Sequence, residues 1–160
     1  MTINPVHFET GDAAEEAGDF PGARRAFEQG AQLGDPICWQ RLGLMFDLGI
    51  GVQVNKKEAM RCYRQAWRQR DLASARNIAV LYEEVGKNRA MFSWLRRAAQ
   101  GGDGGAYLEL AKCYRDGVGV RRSTDAVLRC LAAAIGSPHI AEFEREEAQE
   151  IMDAFRPRPI

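Results

Sequence analysis

Four cysteines, two histidines, two Gly-x-Gly-Val motifs and two pairs of adjacent glutamates are where chemistry would first be sought in this 160-residue chain. Cys38, Cys62, Cys113 and Cys130 lack the C-x-x-C spacing of a zinc or dithiol site, so they read as reduced core thiols. Cys113 and Cys130 fall on helices that pair, and could approach each other. His7 and His139 stand near opposite ends of a chain whose repeats predict a stacked helical array. With helices packing about 8–10 Å apart, they cannot share one active site, so they read as packing and junction residues. Gly49-Ile50-Gly51-Val52 and Gly117-Val118-Gly119-Val120 lack the preceding strand and the Gly-Lys-Ser/Thr ending of a phosphate loop, and read as tight turns. Glu15-Glu16 and Glu83-Glu84 would point about 100° apart on a helix. A general acid–base pair needs both carboxyls on one substrate atom. Trp39, Trp67 and Trp94 fall in apolar neighbourhoods and read as core. No nucleophile, base and metal set converges, so the sequence predicts no enzyme, no cofactor and no metal site.

Composition narrows the class. Lys plus Arg and Asp plus Glu are both 22, so whole-chain charge steers the protein toward neither nucleic acid nor acidic lipid. The longest apolar stretch, residues 130–135, is far short of the roughly 20 a membrane span needs. Glu9, Asp12, Glu15 and Glu16 precede the first basic residue, Arg24, which does not fit a signal peptide. The expectation is a soluble cytoplasmic protein without membrane contact. Its excess of arginine over lysine (18 to 4) suits a GC-rich bacterial genome.

The elements that must position these residues show in self-comparison. Ala14, Phe46, Tyr82 and Tyr114 each follow a small residue by three, an i−4 residue and an i−7 residue: Gly11, Thr10, His7; Gly43, Leu42, Trp39; Ala79, Ile78, Ala75; Ala111, Leu110, Tyr107. Offsets of 0, −3, −4 and −7 form one stripe of an α-helix. A second helix type is anchored at Ala23, Ala59, Met91 and Ala126, continuing four residues on at Phe27, Tyr63, Leu95 and Cys130 and seven on at Gly30, Ala66, Ala98 and Ala133. Each second anchor precedes the next first anchor by 23 residues, whereas first to second spacing is 9, 13, 9 and 12. Length variation confined to one turn is what stacked units predict, because packed helices cannot change length.

Helix boundaries agree. Asn4-Pro5 and Asp19 with Pro21 read as helix starts, Asn55 with Glu58 as a capping box, and Asp35-Pro36 and Ser137-Pro138 as unit junctions. No window alternates with period two over a strand's length, so no sheet is predicted. After Pro138 the register changes, with Ile140, Phe143, Ile151 and Phe155 on one side of a terminal helix and Glu142, Arg145, Glu146, Glu150 and Asp153 on the other. The organisation predicted is one repeat domain over 1–160, with units at about 5–35, 36–71, 72–103 and 104–138, a cap at 139–155 and a loose tail at 156–160.

Leu42 to Phe46, Gly49 to Val52, Lys57-Glu58-Ala59, Cys62-Tyr63 and Ala66 together resemble one Sel-one-like repeat (SLR) of the tetratricopeptide (TPR-like) superfamily. Ala111 with Tyr114, Gly117 to Val120, Ala126 and Ala132-Ala133 resemble another, and the units anchored at Ala14 and Tyr82 resemble plain TPR units. The resemblance spans roughly residues 5–138 and departs at Thr10 and His7. It implies an all-α, right-handed α/α-solenoid of four helix pairs and a C-terminal capping helix, which binds proteins and has no chemistry of its own.

Offsets −6, −2 and +1 cluster about 120° from the core stripe, a row the resemblance assigns to the concave groove. It reads Phe8/Asp12/Glu15, Gln40/Leu44/Asp47, Arg76/Val80/Glu83 and Leu108/Lys112/Arg115. The partner-binding set predicted is Gln40, Leu44, Asp47, Arg76, Val80, Glu83, Leu108, Lys112 and Arg115, with Leu44, Val80 and Leu108 as exposed apolar contacts. The function this implies is a scaffold or adaptor that captures a protein or peptide, possible roles being bacterial regulation or toxin neutralisation. Oligomeric state is left open. Residues 20–34, 54–70, 87–103 and 121–137 carry 15 Lys or Arg against four acids. The alternative is therefore nucleic-acid or acidic-protein binding through Arg24, Arg25, Arg61, Arg64, Arg68, Arg96, Arg97 and Arg129. Nucleic acid is the weaker form of it, because no aromatics interleave for base stacking.

Overall fold

A computed structural model describes residues 6–155, which form nine α-helices and no strand. They are α1 (Val6–Glu16), α2 (Phe20–Gln32), α3 (Pro36–Leu48), α4 (Lys56–Arg68), α5 (Leu72–Glu84), α6 (Asn88–Gln100), α7 (Gly104–Asp116), α8 (Thr124–Gly136) and α9 (Glu142–Ala154). The Asn4-Pro5 helix start and the tail 156–160 lie outside the described residues. The chain divides into two compact units, Met1–Ile78 and Ala79–Ile160.

Capping explains where the helices begin. Asp19, Asp35, Asn55, Asp103 and Ser123 accept backbone amides of the first turns of α2, α3, α4, α7 and α8. Each satisfies a donor that the helix leaves unpaired. The capping box at Asn55 is only half built. Asn55 Oδ1 accepts the Glu58 amide, but Glu58 pairs with Arg61 at 2.8 Å, and the Asn55 amide goes to the Phe46 carbonyl.

Helix positions reveal a longer period than the sequence comparison did. Helices α6, α7 and α8 begin 68 residues after α2, α3 and α4: Phe20 to Asn88, Pro36 to Gly104, Lys56 to Thr124. The same shift superposes the buried residues Phe27 on Leu95, Ala31 on Ala99, Leu42 on Leu110, Tyr63 on Leu131 and Ala66 on Ala134. It also corrects the register of α8. Ala126 is buried as expected, but the stripe continues through Val127, Leu131 and Ala134, which are buried, whereas Cys130 and Ala133 are only half-buried, so the 68-residue register runs from Val127. Both glycine-bearing units then have a first-to-second spacing of 13. The sequence stripe slipped by one because alanines at 126, 132, 133 and 134 offer two equally apolar registers.

In the unit Met1–Ile78, Ala23, Phe27, Ala31, Cys38, Leu42, Met45 and Cys62 form a core joining α2, α3 and α4. The small residue of the first-helix stripe is required for contact: a Cβ at Gly43 would sit 2.4 Å from the Tyr63 ring. In the unit Ala79–Ile160, Leu108, Ala111, Val127, Leu131, Ala134 and Ala148 form a core joining α7, α8 and α9.

The terminal helix α9 buries only part of the face predicted: Ile140 and Ile151 pack against the core of the unit, and Phe143 and Phe155 do not. Glu144 and Ala148 are buried and Ile151 and Met152 half-buried, while Phe143 is 70% exposed and Phe155 is also exposed. Second-to-first helix starts are 16 residues apart three times, but α8 to α9 is 18. Two extra residues at the Ser137-Pro138 junction rotate the stripe. Ser137 Oγ donates to the Gly102 carbonyl at 2.9 Å, and Arg145 donates to the carbonyls of Ile135 and Ser137, which fixes that longer corner.

Ser74 on α5 is fully buried, and its hydroxyl has no hydrogen-bond partner among the described residues. An unsatisfied buried hydroxyl costs about 1–3 kcal/mol. Ser74→Ala is therefore expected to raise stability by about 0.5–2 kcal/mol in urea denaturation, and a loss beyond about 0.5 kcal/mol would contradict this account.

Candidate functional site

The nine predicted partner-binding residues separate into those that packing uses and those it leaves at the surface. Asp47 near the end of α3 is buried, with its carboxylate accepting from Lys56 Nζ at 2.7 Å and from the Tyr63 hydroxyl at 3.0 Å. It fastens α3 to α4. The 68-residue shift places Arg115 and Leu131 at the positions of Asp47 and Tyr63. Leu131 has no hydroxyl to satisfy, and Arg115 stands at the surface in a bidentate pair with Asp116, both bonds 2.8 Å. This pairwise exchange is the signal in the sequence that marks Asp47 as structural.

Leu108 is a correction. It is 1% exposed and lies in the core of its unit beside Ala148 of α9, so the expectation of an exposed apolar contact fails. The terminal helix covers a position that stays partly open at Phe8, Gln40 and Arg76. Lys112, one turn along, is half-buried and bridges Glu109 at 2.9 Å and Glu147 of α9 at 2.8 Å. Burial alone would lower its pKa, but the hydrogen bonds to Glu147 and Glu109 outweigh burial and hold the ammonium above its ordinary value. The same kind of bridge joins α1 to α3, where Arg41 donates to Asp12 and to Glu15, each at 2.9 Å. Offset −2 is acidic in α1 and basic in α7, and the bridging charge on the neighbouring first helix is reversed accordingly.

Gln40 and Leu44 on α3 and Arg76 on α5 are half-buried; Val80 and Glu83 on α5 and Arg115 on α7 are exposed. Val80 is the exposed aliphatic of the row, at 47%.

The cysteine thiols are poor nucleophiles. Burial, helped by the Asp35 carboxylate, pushes Cys38 up to about 12, and burial pushes Cys62 and Cys113 to about 11. Burial raises Cys130 as well. All four thiols are free. An unfolded thiol ionises near pH 9, so only the unfolded state gains charge as pH rises above that. The contribution of these cysteines to stability is thus complete below about pH 9 and declines toward pH 11–12. Iodoacetamide at pH 8 is expected to label Cys38, Cys62 and Cys113 at least tenfold more slowly in native than in urea-unfolded protein. Comparable rates would refute their burial.

A cleft of about 250 Å³ opens between α2, α3 and α4, lined by Glu28, Gln32, Trp39, Phe46, Arg61 and Cys62 among others. The Arg61 guanidinium lies 5.4 Å from the centre of the Trp39 ring, and Arg97 lies 4.4 Å from that of Trp94. These tryptophans are half-buried beneath arginines, and Trp39 packs against the core of its unit. Among the described residues, no group of three or more His, Cys, Asp or Glu side chains could hold a metal ion. No described helix is long and apolar enough to cross a membrane.

The glycine motifs make tight turns of a defined kind. Gly49 and Gly117 close α3 and α7 in the left-handed conformation, each with φ of 77°. The second glycine of each motif meets the first residue of the preceding second-type helix. A Cβ at Gly51 would lie 2.1 Å from Phe20 Cβ, and one at Gly119 would lie 2.2 Å from the Asn88 carbonyl oxygen. The insertion is a packing device.

The fold of these helix pairs is similar to that of solved proteins. The chain is similar to a Sel1 repeat protein from Oxalobacter formigenes, with a TM-score of 0.75 and 21% identity over 96% of this chain and 74% of that one. It is also similar to a protective antigen present in uropathogenic Escherichia coli strains that displays an SLR fold, with a TM-score of 0.72 and 16% identity over 98% of this chain. The chain has the all-α solenoid fold of Sel1-like repeat (SLR) proteins. It spans 43% of the length of the Escherichia coli antigen. No family model and no curated protein matches the sequence. The buried Asp47 and Leu108 belong to repeat packing; of the other predicted residues, Gln40, Leu44, Arg76 and Lys112 are half-buried and Val80, Glu83 and Arg115 exposed.

Proposed function

We propose that this chain is a non-catalytic protein-binding scaffold that takes a partner segment on the exposed faces of its first-type helices. In the unit Met1–Ile78 the contact residues are Gln40, Leu44 and Arg76; in the unit Ala79–Ile160 they are Val80, Glu83 and Arg115. The observation that carries this reading is Val80, an aliphatic left 47% exposed on a helix whose Ile78, Ala79 and Leu81 are buried. An exposed aliphatic between charged neighbours suits the side of an amphipathic segment. The SLR fold supports protein binding because stacked helix pairs present an extended surface. The raised thiol pKa values argue against cysteine catalysis. A bacterial regulatory or toxin-neutralising protein working in the cytoplasm fits the reading.

Capture from native lysate with mass spectrometry tests it, comparing wild type with Leu44→Glu/Val80→Glu and running one arm with nuclease. A protein held by wild type and lost by the double variant supports the scaffold. Retention that ignores the variant but disappears with nuclease overturns it, in favour of nucleic acid on the Arg-rich second helices.

A further inference from the structure

The 68-residue shift that relates α2, α3 and α4 to α6, α7 and α8 brings out one exchanged aromatic. Phe92 of α6 packs edge-on against Tyr114 of α7, with ring centres 5.3 Å apart and planes at 87°. The shift places Arg24 at the position of Phe92 and Phe46 at that of Tyr114. Arg24 is exposed, and its guanidinium turns to Glu28, one turn along α2, at 3.2 Å. The two phenylalanines of α2 are used elsewhere. Phe20 is held at the glycine turn, where a Cβ on Gly51 would lie 2.8 Å from its ring, and Phe27 is fully buried in the core. No ring from α2 therefore stands at the position of Phe92, and Phe46, half-buried, lines the cleft between α2, α3 and α4.

The size and lining of that cleft suit a ring. Its apolar part is Trp39 and Phe46 together with the buried Ala31, Leu42 and Cys62. A cavity of about 150 Å³ admits a benzene ring, whereas sites for whole small-molecule ligands begin at about 300 Å³. At about 250 Å³ the cleft holds one aromatic side chain. The charged residues that line it already have partners, Glu28 with Arg24 and Arg61 with Glu58, and Arg61 also lies over the Trp39 ring. A charged side chain entering the cleft would compete with those pairs, and a neutral ring would not. All of these residues belong to the unit Met1–Ile78.

We infer that this cleft receives one aromatic side chain of a partner segment, its ring set against Phe46 and Trp39 as the ring of Phe92 is set against Tyr114. The inference rests on the protein-binding reading for the source of the ring, but the site is a separate one, since none of Gln40, Leu44 and Arg76 lines the cleft. Ring–ring contact selects Phe, Tyr or Trp over an aliphatic residue of similar size. The incoming ring supplies to Phe46 the neighbour that the other unit carries in its own chain.

Two-dimensional NMR of the isotope-labelled whole chain, titrated with N-acetyl-phenylalaninamide as the probe, tests this. The indole N–H signal of Trp39, assigned by its loss in Trp39→Phe, should shift and saturate with a dissociation constant of about 1–10 mM. N-acetyl-leucinamide should bind at least about threefold more weakly. Arg24→Phe restores the ring of the other unit from an exposed position and should weaken the probe at least about tenfold, with the fold retained by circular dichroism. A Trp39 signal unmoved at about 30 mM probe would overturn the inference. So would equal binding of the two amides, or undiminished binding to folded Arg24→Phe. The Leu44→Glu/Val80→Glu variant should bind the probe as wild type does, so failure of the partner-binding reading is read separately.

Discussion

Leu108→Glu is expected to unfold the unit Ala79–Ile160, whereas Val80→Glu in the same unit should leave its stability nearly unchanged. Sequence pattern put both residues in one surface row, yet Leu108 is 1% exposed and Val80 47%. Replacing Leu108 removes about 2 kcal/mol or more of apolar burial. It also places a carboxylate among Ala111, Val127, Leu131, Ala134 and Ala148. The combined penalty of at least about 5 kcal/mol is comparable with the total stability of a small domain. Val80→Glu exchanges one exposed side chain for another, and its effect should stay within about 0.5 kcal/mol. Thermal denaturation followed by circular dichroism measures both. A cooperative transition within a few degrees of wild type for Leu108→Glu would mean that α9 does not cover α7 as described.

Gly119→Ala has the next largest expected effect, and Gly86→Ala supplies its control. Both glycines have positive φ, 71° and 69°. An L-residue there costs roughly 1–2 kcal/mol from local sterics. They differ in surroundings: a Cβ at Gly86 meets nothing within 4 Å, while one at Gly119 would lie 2.2 Å from the backbone oxygen of Asn88. A backbone carbonyl at the start of α6 cannot swing aside as a side chain can. Gly119→Ala should therefore cost about 3 kcal/mol or more, and Gly86→Ala about 1 kcal/mol. The difference between the two urea midpoints isolates the turn-to-helix contact. Equal losses would show that the Gly-x-Gly-Val insertion serves the backbone conformation alone.

The helices were legible from the sequence because their boundaries are local. Asp19, Asp35, Asn55, Asp103 and Ser123 cap helices through amides two or three residues away, a property of sequence separation and not of folding partners. The repeat was legible too, because a length change is tolerated only where nothing packs. Even its error in α8 has a local cause, since one alanine serves an apolar stripe as well as the next.

The candidate site was less legible. Offset within a helix states which residues share a face, but not which other helix lies against that face. Leu108 and Leu44 occupy neighbouring offsets in the same pattern, and only α9 buries the first. Asp47 and Glu83 share one offset and one charge, and only the Tyr63 hydroxyl and Lys56 turn Asp47 inward. By itself, the amino-acid sequence determined an all-α array of helix pairs, its turns and most of its small-residue contacts. Tertiary structure decided which members of the groove row are core, how two extra residues at Ser137-Pro138 rotate α9, and which aromatic is left outside. The physical reason is that burial is set by contacts between distant segments, whereas helix formation and capping are set by neighbours within one turn.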